Sequence, residues 1–215
     1  MRVLLVAIFT AFAAGAQERQ LIDEVVAVVD AHSVTLSELA AETRIHLVEQ
    51  QGPQTASAQL DRAILAASLR RLVQERVVLS EVERLKLFDL DHAEVDAALA
   101  RLRAQFATTP AWESFTRQVE LTDQEIGAVL ARELRVARYL DNRLKLAAQL
   151  RDSELEEAWK AQGAQGDREL LRQRLSKEKY ERLLTELLAE LRRKATVRIV
   201  DPLEDANRSI AAGSR

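Results

Sequence analysis

The chain has 215 residues, a formal charge of −3, 30% charged residues of both signs and no cysteine. Interleaved charge of this kind makes a mixed, soluble surface rather than the basic footprint of a nucleic-acid binder. Without cysteine there is no disulfide framework, no thiol nucleophile and no thiolate metal site.

The first predicted element is an export signal. Arg2 precedes an apolar run from Val3 to Ala14, and Ala14-Gly15-Ala16 has the small-x-small pattern of a signal-peptidase site, so 1–16 are expected to be removed and Gln17 to begin the mature chain. The run falls short of the roughly 20 apolar residues that cross a bilayer, which leaves an uncleaved anchor as the alternative. What remains is expected to be one domain over 17–200, with a core from 21–162 closed by a terminal helix and strand over 169–200. A disordered polar tail over 201–215 should follow.

Val25 to Val29 is a β-branched run that ends at Asp30-Ala31-His32-Ser33, and Val34-Thr35 follows, which predicts a strand and small hairpin. Thr35 and Glu38 have the spacing of a capping box, predicting a helix over 36–50 that Gly52-Pro53 stops. The next helix, about 58–86, is expected to be the longest. Leu60, Ile64, Ala67, Val78, Val82 and Leu85 lie on one side of it, and Leu65, Leu69, Leu72 and Leu79 on another. A helix apolar on two sides is covered by more than one neighbour, so it is the expected centre of the domain.

Three further capping boxes, Asp91 with Glu94, Thr122 with Glu125 and Ser153 with Glu156, predict helices over 92–106, 123–148 and 154–162. Thr109 followed by Pro110 reads as an N-cap with proline at N1, starting a short helix that carries Trp112 and Phe115. In the helix from 123, Ile126, Leu130, Ala137, Leu140 and Leu144 form the apolar stripe.

Gly163-Ala164-Gln165-Gly166-Asp167 breaks the second half of the chain. Beyond it Tyr180, Leu183, Leu184, Leu187, Leu188 and Leu191 mark one face of a long helix that opens with Asp167 and Glu169 and closes with Arg192-Arg193-Lys194, complementing its dipole. Thr196 to Val200 then alternates with a period of two and reads as a strand. A terminal strand needs a neighbour for its backbone groups, and Val25 to Val29 is the obvious one. The expected fold class is mainly α, with a small antiparallel β element joining the N-terminal strand or hairpin to the C-terminal strand.

The residues point to no catalytic chemistry. His32, His46 and His92 read as exposed, in a turn, on a polar part of the first helix and beside a cap, and none has a His, Asp or Glu partner in a ligand motif. The carboxylates at 89–91 and 154–157 sit at helix starts, where the dipole stabilises them. No serine has a glycine-flanked elbow and no glycine-rich phosphate loop exists. No catalytic residue, metal or cofactor is therefore expected. Phe106, Trp112 and Phe115 gather around a helix junction and Trp159 lies at the next. They are either core anchors or an apolar wall for a client segment.

Three stretches together carry a family resemblance. LIDEVVAVVDAHSVTLSELAAE resembles the opening strand, turn and first helix of the SurA family of exported chaperones. LRRLVQERVVLSEVERLKLFDLDHAEVDAALARLRAQF and ESFTRQVELTDQEIGAVLARELRVARYLDNRL resemble its helical core, and RQRLSKEKYERLLTELLAELRRKATVRIV its returning helix and strand. The resemblance implies a periplasmic, ATP-independent holdase for unfolded segments, outer-membrane proteins in transit above all, with no nucleic-acid partner and no stable membrane insertion after signal cleavage. It also implies a departure. The family's parvulin prolyl isomerase is usually inserted before the returning helix, where only Lys160 to Arg168 stand here, so no isomerase activity is expected, a domain needing roughly 50 residues. An exported structural or adaptor protein with one dedicated partner is the alternative from another class.

Overall fold

The computed structural model describes residues 23–203 except 88 and 202. The expected signal over 1–16, and the tail beyond 203, lie outside the described residues. The fold is mainly helical with a small antiparallel sheet, as the sequence implies. In chain order it comprises β1 (Val25–Val29), β2 (His32–Thr35), α1 (Leu36–Gln51), a 3-10 turn (Pro53–Thr55), α2 (Arg62–Arg84), α3 (His92–Arg103), α4 (Thr109–Val119), α5 (Asp123–Leu144), α6 (Asp152–Ala161), α7 (Arg168–Lys194) and β3 (Val197–Ile199). None of the described helices is long and apolar enough to cross a membrane.

The two ends of the described chain meet in the sheet, whose order is β2-β1-β3 with both pairs antiparallel. Val29 pairs with Val197, Val28 with Arg198 and Ala27 with Ile199. As the middle strand, β1 buries Val26, Ala27 and Val29 completely. The expected strand neighbour of the C-terminus is therefore the observed one.

Caps set most helix starts, with local shifts from expectation. Thr35 accepts from the Glu38 N–H, but the Glu38 side chain turns to Arg76 instead of completing the box. Asp61 caps α2 by accepting from the Ile64 N–H, so this helix begins later than expected. At 27 residues α7, not α2 with 23, is the longest helix. Thr108 rather than Thr109 is the N-cap of α4, because its hydroxyl reaches the Ala111 N–H. Before α6 the Glu154 carboxylate accepts from the Arg151 N–H at 2.8 Å, two residues ahead of the expected Ser153–Glu156 box. The helices α3 and α5 stop at Arg103 and Leu144, short of the expected 106 and 148. At Gly52 φ is +94°, and a Cβ there would meet the Gln54 side chain at 2.6 Å, so the stop after α1 requires glycine.

The hydrophobic interior falls into two clusters. The first joins the sheet to α2, the second half of α5 and the end of α7, through Val26, Val29, Leu72, Val78, Tyr139, Leu187 and Leu191 among others. The second joins α1, α3, α4 and the first half of α5, around Ile45, Leu102, Trp112, Phe115 and Ile126. The start of the expected tail belongs to the first cluster: Leu203 is buried, its carbonyl accepts from Arg62 Nε, and Asp201 pairs with the same arginine. Disorder over 201–215 was the expectation; Asp201 and Leu203, the two residues of that stretch described, both contact Arg62.

Candidate functional site

The aromatic residues read as a possible client wall separate into two groups. Phe106, Trp112 and Phe115 stack with ring centroids 5.1 to 5.7 Å apart. Trp112 is 3% exposed and Phe115 1%, and the indole Nε1–H of Trp112 donates to Asp123 Oδ1 at 3.0 Å. A tryptophan with its apolar body enclosed and its one polar atom satisfied is an interior anchor, so these two present no wall in this conformation. Phe106 is half-buried against the same cluster. Trp159 is half-buried on α6 and packs with neither cluster.

The apolar concavity lies elsewhere. A groove of about 530 Å³ runs between α2 and α7 and reaches β3, with Leu69, Val73 and Val77 on one wall, Leu188 and Ala189 on the other and Ile199 at the strand end. Arg70 and Arg192 lie at its rim. Helix periodicity explains it: α2 is apolar on two sides, and α7 covers one of them only in part. Leu187 and Leu191 are the buried leucines at that end of α7, while Leu188 stays half-open.

Strand geometry adds to the groove. The Asp30 N–H donates to Thr196 O and the Val200 N–H to Val26 O. Alternation along an antiparallel pair then turns Thr196, Arg198 and Val200 toward β1 and the N–H and C=O of Val197 and Ile199 away from it. β3 is the edge strand, so among the described residues these outward groups have no strand partner. Ile199 and Val200, 39% and 51% exposed, leave apolar side chains at the same edge.

A second constellation is buried where α1 meets α2 and α5. Glu38, Glu42, His46 and Glu49 recur along one face of α1. Arg76 Nη2 donates to Glu38 Oε1 at 2.8 Å and to Glu42 Oε1 at 2.6 Å, and Arg132 from α5 donates to the same Glu42 oxygen. Glu42 and Arg76 are 2% and 3% exposed. One turn further along, Arg71 Nη1 donates to Glu75 Oε2 at 2.8 Å. There the Glu49 and Glu133 carboxyl groups meet, within 4.8 Å of each other and of a His46 ring nitrogen.

The electrostatics of this second end follow from burial. Glu133 is pushed up to about 8, by desolvation first and then by the charges of Glu49 and Glu75. Desolvation also raises Glu49 and Glu75, with Arg71 working against it in both. The His46 imidazole is lowered, by burial and then by Arg71, which favours its neutral form. His46 is thus half-buried rather than exposed, and it has carboxylate neighbours: Glu49 one turn away and Glu133 from α5. Motif spacing within one segment does not reveal a set completed by a distant helix. His32 also has a partner, Glu83 at 2.9 Å, whereas His92 is exposed as expected.

No protein-family model matches the chain, and no curated protein matches it.

Proposed function

We propose that the protein is an exported, periplasmic, ATP-independent holdase that takes extended apolar segments of unfolded polypeptides. The observation that carries this reading is the apolar α2–α7 groove lying beside the open edge of β3. Strand addition explains how such a site tolerates many sequences: backbone hydrogen bonds to Val197 and Ile199 are indifferent to side chains, while alternate client side chains enter the groove. Arg70 and Arg192 at the rim favour segments flanked by neutral or acidic residues. Each buried aliphatic side chain is worth about 1.5 to 3 kcal/mol before the cost of ordering the client, so binding is weak and reversible, which suits transfer. Unfolded outer-membrane proteins in transit, whose strands alternate apolar and polar residues, fit that chemistry. The order of elements quoted for the SurA-family resemblance supports the same reading, and no catalytic step is part of it.

The test is suppression of aggregation of an unfolded outer-membrane barrel by the purified chain and by two edge variants. Ile199→Pro removes an outward N–H without touching the β1 ladder, and Ile199→Asp places charge in the groove. Protection by the native chain, reduced several-fold in both variants with unchanged far-UV dichroism, is the expected result. Protection of no client, with capture of a single folded partner, would establish the adaptor reading instead. Acceleration of prolyl isomerisation would contradict a binding-only role.

A further inference from the structure

The buried charges along α1 divide into two sets with different balances. Glu38, Glu42, Arg76 and Arg132 interlock through short contacts and sum to zero. Glu49, Glu75 and Glu133 gather instead around Arg71, with Arg101 of α3 also acting on Glu49 and Arg76 lying 3.8 Å from Glu75, so that the carboxylates outnumber the guanidiniums the first set leaves to them. Fully ionised, that half-buried set keeps an excess of negative charge, with the His46 imidazole beside it.

The geometry points to a site for one divalent first-row transition-metal ion, bound by His46, Glu49 and Glu133. One ligand atom from each residue lies within 4.8 Å of the others. Bonds of about 2.0 to 2.2 Å to a tetrahedral ion need ligand atoms about 3.3 Å apart, which rotamer adjustment of two glutamates supplies. His46 and Glu49 stand one helical turn apart on α1, and Glu133 faces them from α5, so two rigid elements hold the three ligands. A second observation points the same way. The Glu75 side chain is 9% exposed and its Oε1 has no hydrogen-bond partner, with Arg76 Nη1 3.8 Å away. An unpartnered buried carboxylate oxygen is costly, and the Glu75 charge acts on Glu133, so a cation held by Glu133 offsets that repulsion. One nitrogen and carboxylate oxygens without sulfur suit zinc and its neighbours, while imidazole disfavours magnesium and calcium.

This inference is independent of the groove and of the holdase reading. Zinc chloride is titrated into the purified full chain by calorimetry while the imidazole signals are followed by NMR; the chain has only three histidines. The expected result is one ion per chain with the His46 signals shifting to saturation before those of His32 and His92. Glu49→Gln and Glu133→Gln, which keep side-chain shape, are each expected to weaken uptake by about a hundredfold, and His32→Ala to leave it unchanged. His46 signals that stay fixed at millimolar zinc overturn the proposal without recourse to any variant. Unaltered affinity in the folded Glu49→Gln/Glu133→Gln double variant overturns it as well.

Discussion

Asp30 and Thr196 close the fold on each other. The Thr196 N–H donates to Asp30 Oδ1 at 2.7 Å while the Asp30 N–H donates to the Thr196 carbonyl at 2.8 Å. Asp30 Oδ2 also accepts from Ser80 Oγ at 2.5 Å, which ties the same residue to α2. One side chain at the tip of the hairpin therefore locks the C-terminal strand and the central helix together.

Replacing Asp30 should loosen that lock in a graded way. Asp30 sits at φ +50°, so Asp30→Ala loses both side-chain bonds and strains the backbone, whereas Asp30→Gly loses the bonds alone. Urea unfolding is expected to show a loss of about 2 to 3 kcal/mol for alanine and a smaller one for glycine. Equal losses would mean that backbone strain at this turn is immaterial.

The returning helix is expected to be integral to the domain. Leu191→Ala removes a side chain 3% exposed in the first cluster and should cost about 2 to 5 kcal/mol. Deleting 169–200 removes α7 from its second residue on, together with β3, and should abolish cooperative unfolding altogether. A truncated chain with a sharp denaturation transition would show that the remaining helices form a domain without it.

The buried ion pair can be separated from its parts. Arg76→Met leaves Glu42, 2% exposed, with Arg132 as its remaining counter-charge, and should cost about 3 to 5 kcal/mol. Converting both partners, Arg76→Met with Glu42→Leu, should restore much of that loss because no charge is then left stranded. A double-mutant cycle in urea measures the difference.

In chelator, alkaline pH should weaken the fold. The folded Glu133 pKa of about 8 lies above its usual carboxylate value, so the folded state binds more protons than the unfolded state between those limits. The contribution of the protonated carboxyl is complete below about pH 4 and is lost as pH rises through about 8. Denaturation at pH 6 and pH 9 is expected to differ by a few kcal/mol, on the order of the shift involved. Glu133→Gln should flatten the difference, and an unchanged slope in that variant would assign it to other groups.

The architecture was readable wherever a local rule decided it. Thr35, Asp91 and Thr122 cap the helices they were expected to cap, and the strand pairing of the two ends follows from the period-two runs at 25–29 and 196–200. The displaced starts at Thr108 and Arg151 lie where a second polar residue one or two positions away offers an alternative cap. The candidate sites were far less legible. The aromatic run suggested a binding wall, but Trp112 and Phe115 turned inward because α4 uses its apolar face to close the second cluster. The α2–α7 groove arises from incomplete cover between helices far apart in sequence. Glu133 reaches His46 only because α5 crosses α1, and no spacing rule within either helix encodes that encounter.

Gly163 and Gly166, both at positive φ, mark the turn from α6 into α7, and a Cβ at either would meet nothing within 4 Å. Leu155 and Leu171 are buried where these two helices pair, and neither belongs to the two clusters that hold the rest of the protein. The turn thus lies outside the packing that holds the main body. Foreign sequence spliced between Gly163 and Gly166 should be carried as cargo, with sheet pairing and melting behaviour retained. The same position is a natural attachment point for a fluorophore or an added domain, at a distance from the groove set by the α7 turns between Asp167 and Thr185.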